Sequence, residues 1–339
     1  MAGTVLVTGG SGYIAGFTIR QLIAEGWTVR TTVRSLAREA ETRRLLDVDN
    51  ARLSFHGADL EHDAGWAEAV AGCTHVAHIA SPFPAVAVKD AQDLIRPARD
   101  GALRALKFAH DAGVARFVQT SSSAAIAYGH VPERNLYTEA DWTNPDAPGL
   151  AAYVQSKAIA ERAARDWMMA HGTGMEFCTV NPVAVLGPVM GPNLSTSVMI
   201  VEKMLSGALP GVPNFGFAIV DVRDVADLHV RALRAEDVAG ERFIASGPFL
   251  QMAEIAGILK ARVPEARRVP TRHIPDFLIR IAAKFSPMVR QVTGELGKTR
   301  AMDASHARDV LGWSARPVEE TLVDCARSLI DQGIVKTGK

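Results

Sequence analysis

The chain has 339 residues, with 37 Lys and Arg against 37 Asp and Glu and a formal net charge of zero. That length suits one large α/β domain with ample core, and the even charge speaks against a nucleic-acid surface or a polybasic membrane anchor. Cys73, Cys178 and Cys325 form no metal-spaced pair, so neither a disulfide framework nor a metal site is expected.

In chain order, the first strand candidate is Val5–Thr8. It meets Gly9, Gly10, Ser11 and Gly12 and passes at once into a helical pattern over Ile14–Glu25. A strand, a tight glycine turn and a helix bring backbone N–H groups to a pyrophosphate, where the helix dipole favours negative charge. Thr8, Gly9, Gly12, Tyr13 and Ile14 are the candidate contacts of that turn. No basic leader or cleavage site precedes the strand and no apolar run is long enough to span a bilayer. A soluble, cytoplasmic protein is therefore expected.

Strand candidates continue at Thr28–Val33, Arg52–His56, His75–Ala80, Arg116–Thr120 and Phe177–Asn181. Helical patterns lie between them at Ala37–Leu46, Ala64–Val70, Asp90–Ala112 and Ala151–Ala170. Strand–helix alternation with continuously apolar strands predicts a Rossmann-type, doubly wound parallel sheet. Residues 1–182 form the dinucleotide-binding part, and 218–246 return to it with a short strand and helix over Ile219–Ala232 and a strand at Arg242–Ala245. Residues 183–217 and 247–339, broken by Gly and Pro, are expected to build a smaller, mostly helical substrate lobe.

Several strand ends carry informative residues. After the second strand, the position where an acidic residue takes the ribose hydroxyls holds Val33, followed by Arg34, with Arg38 four residues on. A guanidinium in place of a carboxylate favours a 2′-phosphate, so NADP(H) is preferred over NAD. Asp59, followed by Leu60, comes just beyond the third strand, where it either accepts from an adenine amino group or caps the next helix. Ala80 and Ser81 after the fourth strand leave room for the cofactor's sugar and phosphate, and Phe83 could wall a substrate pocket with Ile126. His75 and His78 share a strand face, but with no spaced carboxylate they read as buried or capping histidines.

The chemistry gathers at two stretches. The fifth strand ends at Thr120 and opens onto Ser121, Ser122 and Ser123, and Tyr153-Val154-Gln155-Ser156-Lys157 follows in helical context. Spacing of four puts Tyr153 and Lys157 on one helix face. A phenol with a pKa of about 10 is a poor acid or base near neutrality, and a neighbouring ammonium with an oxidised nicotinamide pulls it toward working pH. A serine hydroxyl on the adjacent strand end can hold the substrate oxygen opposite the tyrosine.

The glycine turn, Asp59-Leu60, Thr120-Ser121-Ser122 and Tyr-x-x-x-Lys, in this order, resemble the extended short-chain dehydrogenase/reductase family. The dihydroflavonol-reductase-like branch is the most similar, through Val33-Arg34-Ser35, Ala80-Ser81-Pro82, Asn181-Pro182, Leu186-Gly187-Pro188, Val220–Ala226 and Leu311-Gly312-Trp313. The resemblance covers almost the whole chain and departs at the third glycine, which falls on Ala15 with Gly16 after it. It implies an NADPH-dependent reductase of a small-molecule ketone or aldehyde, a monomer or homodimer. Tyr153 would be the general acid, Lys157 its ribose-binding partner and Ser122 the carbonyl-binding serine. Counting back from Tyr128-Gly129 would choose Ser123 instead. Pro182 and Val183 would lie against the nicotinamide. The same fold also serves nucleotide-sugar epimerases and dehydratases, and dinucleotide-sensing regulators that typically lose the tyrosine or lysine.

Overall fold

The computed structural model describes residues 3–82, 90–172, 174–285, 289 and 292–336. In chain order the strands begin β1 (Thr4–Val7), β2 (Thr28–Val33), β3 (Leu53–Gly57), β4 (His75–His78), β5 (Arg116–Thr120), β6 (Leu136–Tyr137) and β7 (Glu176–Pro182). They continue β8 (Ala184–Leu186), β9 (Val212–Pro213), β10 (Gly216–Asp221), β11 (Arg242–Ala245), β12 (Phe249–Gln251), β13 (His273–Ile274) and β14 (Ala301–Met302). The helices start α1 (Tyr13–Ala24), α2 (Glu39–Leu46), α3 (Trp66–Val70), α4 (Gln92–Asp111), α5 (Ala152–His171) and α6 (Thr196–Ser206). After them come α7 (Val222–Arg234), α8 (Met252–Arg262), α9 (Asp276–Ala282), α10 (Ser305–Leu311) and α11 (Val318–Asp331).

Seven parallel strands form the main sheet in the order β11-β7-β5-β4-β1-β2-β3. Its strands are apolar on both faces because both are covered. Val5 and Val7 of β1 pack with α1 and α7, while Leu6 between them faces α3 and α4. This is the doubly wound Rossmann-type sheet that strand–helix alternation predicts. The chain runs outward from β1 in one direction through β2 and β3, and in the other through β4 and β5. The crevice between the C-terminal ends of β1 and β4 is therefore the switch point where such sheets bind ligands.

The smaller lobe has its own core, drawn from α6, α8 and α11. Its three-stranded sheet has the order β12-β10-β8. Here the pairing differs from a simple return of residues 218–246 to the large sheet. β11 joins that sheet and α7 packs on it, whereas β10 pairs with β8 and β12. Among the described residues no helix is long and apolar enough to cross a membrane, and no group of His, Cys, Asp and Glu could hold a metal ion.

Candidate active site

The turn after β1 is built for close backbone approach. Gly9 has φ +75° and donates its N–H to Thr32 Oγ1 at 3.0 Å. A Cβ on Gly10 would lie 2.2 Å from Thr31 Oγ1, so only glycine lets the turn sit this near β2. Gly12 caps α1 with no side-chain hydrogen bond, and no acidic residue occupies the helix's first turn. Its N-terminal N–H groups and positive dipole end are thus left for an anion. A cleft at this helix end is lined by Gly12, Tyr13, Arg38, Thr42, Met190 and Ser195, among others. At the third-glycine departure, Ala15 is fully buried and Gly16 lies against Met190, whose methyl would meet a Cβ at 2.1 Å.

Thr8 is wholly buried beneath this turn. Its hydroxyl accepts from the N–H groups of Ile79 and Ala80, both at 3.0 Å, and donates to His78 Nδ1 at 3.0 Å. It thereby fastens the end of β4 to β1, rather than facing the crevice. Burial, then the Lys157 charge, lowers His78 to about 3, so the ring is neutral and able to accept. His75 packs edge-on against Trp27, so the histidine pair is structural. Asp59 spends Oδ1 on the Glu61 N–H at 2.9 Å, and the side chain of Leu60 packs on Gly101 of α4. Arg34 is exposed at the end of β2 and pairs with no acidic group among the described residues. A 3-10 turn at Leu36–Arg38, capped by Ser35, carries Arg38 to the cleft.

At the centre of the sheet, β5 ends at Thr120, whose hydroxyl lies 2.7 Å from His229 Nε2. Ser122 follows, buried, its Oγ accepting from the Ala124 N–H at 3.1 Å and shaping the turn. The Ser122 hydroxyl is also hydrogen-bonded to Tyr153, so this serine, not Ser123, is the one the structure joins to the phenol. Burial raises the Tyr153 phenol above its ordinary value, and the bond to Ser122 works against that rise. Lys157 stands one turn further along α5, Nζ 5.7 Å from the Tyr153 ring centroid and donating to Ser81 Oγ at 2.9 Å. Burial lowers its ammonium to about 8, against the opposing pull of Glu161. Ser81, Ser122, Tyr153 and Lys157 thus meet at the C-terminal ends of β4 and β5. Pro182 closes β7 and the half-buried Val183 follows it.

The two substrate expectations fare differently. Phe83 lies outside the described residues. Ile126 is fully buried in a small cluster with Tyr137 and Ile244, so it offers no surface to a ligand. Phe215 and Phe217 pack on one another at 5.7 Å, against the lobe's core.

A buried polar group escaped the sequence reading. Glu161 is fully buried on α5 and takes hydrogen bonds from Ser121, Thr179, Asn181, Arg165 and Arg242. Burial works to raise its carboxyl, but the Arg242 and Arg165 guanidiniums hold it below the ordinary value. The spacing that joins Tyr153 to Lys157 continues to Glu161 four residues later, which is the signal that could have found it. Its partners after β5 and on β7 and β11 have no such signal.

A match to the NAD dependent epimerase/dehydratase family spans residues 5–245. Cinnamoyl-CoA reductase CAD2 of Medicago truncatula is 34% identical over 275 residues, 78% of this chain and 82% of its own length. Dihydroflavonol 4-reductase of Zea mays is 29% identical over 274 residues, 78% and 75% of the two chains. Among solved structures, yeast methylglyoxal/isovaleraldehyde reductase Gre2 complexed with NADPH superposes with a TM-score of 0.82 at 25% identity, covering 98% of this chain and 100% of its own.

Proposed function

Since the chain belongs to the NAD dependent epimerase/dehydratase family, the extended short-chain dehydrogenases/reductases, we propose that it reduces a ketone or aldehyde on a largely apolar small molecule with NADPH. In reverse it would act as an alcohol dehydrogenase. One observation carries the reading: a buried tyrosine hydrogen-bonded to a strand-end serine, with a lysine one helical turn away, at the sheet's ligand-binding edge. The relatives named as reductases support it, as does the match to a reductase solved with NADPH.

The residues present fit such a dinucleotide. The turn leaves no room for a Cβ at Gly10, the α1 N-terminus has no acidic residue in its first turn, and Arg34 and Arg38 bring positive charge beyond β2. Gly9, Gly12, Tyr13 and Ile14 would hold the pyrophosphate by backbone, and Ser81, Lys157 and Val183 would border the nicotinamide half. When bound, NADPH supplies the hydride. Ser122 and Tyr153 then address the carbonyl oxygen together, and Tyr153 releases its proton to that oxygen as the carbon is reduced. A phenol raised by burial holds its proton at neutral pH but gives it up less readily, so donation depends on stabilising the phenolate. The Lys157 ammonium stabilises the phenolate left behind. We place the reaction in the cytoplasm, with a small molecule as the partner.

The test is consumption of NADPH and of NADH by the purified protein over a panel of aromatic and aliphatic carbonyls. Tyr153→Phe should lower kcat by about 10²-fold or more. Wild-type rates in that variant would remove Tyr153 from the chemistry. Tight cofactor binding with no turnover on any carbonyl would favour a sugar-modifying or sensing protein.

A further inference from the structure

Glu161 is where the separate pieces of the candidate site are tied together. From the end of β5, Ser121 donates to Oε2 at 2.5 Å. From β7, Asn181 Nδ2 donates to the same oxygen at 2.8 Å and to the Ser122 carbonyl at 3.3 Å. From β11, Arg242 Nε donates to Oε1 at 2.7 Å, while its Nη1 reaches the carbonyls of Glu139 and Asp141. Arg165, one turn on along α5, reaches Oε1 at 3.3 Å. A plain structural ion pair would need Arg242 alone. Here the carboxylate also holds the Ser121 hydroxyl and, through the Asn181 amide, the Ser122 carbonyl, and it lies on the helix that carries Tyr153 and Lys157.

We infer that Glu161 is a positioning residue for the proposed carbonyl reduction, holding Ser122 in register with Tyr153 and setting its carboxylate one helical turn from Lys157. The inference rests on the reductase reading. Lys157 is faced by Tyr153 and Glu161 from its own helix, and by His78 and the Ser81 hydroxyl from β4 and its end. His78 is neutral, so Glu161 is the one anion acting on the ammonium among these groups. Glu161 in turn is faced by Arg165 on α5 and Arg242 on β11, together with the neutral donors Ser121, Thr179 and Asn181. Removing the carboxylate charge leaves the buried ammonium with desolvation unopposed.

The experiment is the pH profile of NADPH-dependent turnover, paired with the pH profile of NADPH binding followed by cofactor fluorescence. Glu161→Gln keeps the shape and loses the charge. Its alkaline limb, expected near pH 8 in the wild type from Lys157, should move down by roughly one unit, in both turnover and binding. Ser121→Ala cuts the tie to Oε2 and keeps the charge, so it should lower kcat by about tenfold with the limb and NADPH binding unmoved. Glu161→Asp should restore the limb while leaving kcat reduced, because the shorter acid keeps the charge but loses the span to Ser121 and Asn181. A uniform loss at every pH in Glu161→Gln, with the limb unmoved, would overturn the inference and leave Glu161 a structural residue. Should Glu161→Gln not fold, Ser121→Ala decides: a wild-type kcat overturns it. Wild-type protein that binds NADPH but reduces no carbonyl sinks the reductase reading instead, and the binding profiles still judge Glu161.

Discussion

Two guanidiniums follow β2, and their surroundings differ. Arg34 stands exposed with no acidic partner among the described residues, while Arg38 lines the cleft at the α1 N-terminus, where Glu41 also contributes. Position in the sequence favours Arg34 for a 2′-phosphate, and position in the fold favours Arg38. Replacing each by Ala separates them. The one that holds the phosphate should raise KM for NADPH about tenfold at unchanged kcat, with NADH unaffected, as expected for a lost charge-assisted bond. If the double variant prefers NADPH as strongly as the wild type, neither arginine selects the cofactor.

At the scale of elements, β1, its turn and α1 form one unit fastened to β2 and β4. Thr31 Oγ1 donates to the Val7 carbonyl at 2.7 Å and fills the space beside Gly10, while Thr8 holds the end of β4. Gly10→Ala forces a methyl onto Thr31, so a loss of about 1–3 kcal/mol in urea unfolding is expected, with weaker NADPH binding. Gly257 offers the contrast. It sits exposed within α8, and a Cβ there meets nothing within 4 Å. Gly257→Ala should stabilise by about 0.5–1 kcal/mol, because only backbone entropy changes. Equal effects from the two variants would refute the steric account of the turn.

Across the molecule, the lobe is joined to the large sheet by the stretch from β10 into α7. Fully buried Asp221 binds Arg223 through two bonds of 2.8 Å, and Arg223 reaches Asp324 of α11 at 2.7 Å. Asp224 holds Arg316, and its carbonyl accepts from the indole of buried Trp313 at 2.8 Å. The motifs Val220–Ala226 and Leu311-Gly312-Trp313 thus meet in space. Acid should weaken the whole assembly through its buried histidines. Burial, then Lys157, lowers His78 to about 3, and burial lowers His229 to about 4 against its bond to the Val225 carbonyl. The unfolded chain takes up these protons near pH 6.5, so their contribution is fully present above that value and is lost as pH falls toward 4. Each should add about 1.4 kcal/mol of lost stability per pH unit. His229→Gln should reduce the slope of urea-unfolding free energy between pH 6 and 4.5 by that amount, and an unchanged slope would exclude His229 as a source.

The sequence by itself determined the sheet class, the glycine turn and the Tyr153–Lys157 pair, because these depend on local periodicity and on spacing along one helix. Apolar runs mark strands, small residues mark a turn, and residues four apart share a helix face wherever the helix lies. Only the tertiary structure decided that Ser122 meets the phenol, that Thr8 and Thr120 spend their hydroxyls on buried histidines, and that Ile126 belongs to the core. It also decided that β10 serves the small sheet, and that Glu161 gathers donors from just after β5 and from β7 and β11. Those outcomes rest on which strands lie side by side, and strand order is set by packing among residues far apart in the chain, which no local pattern encodes.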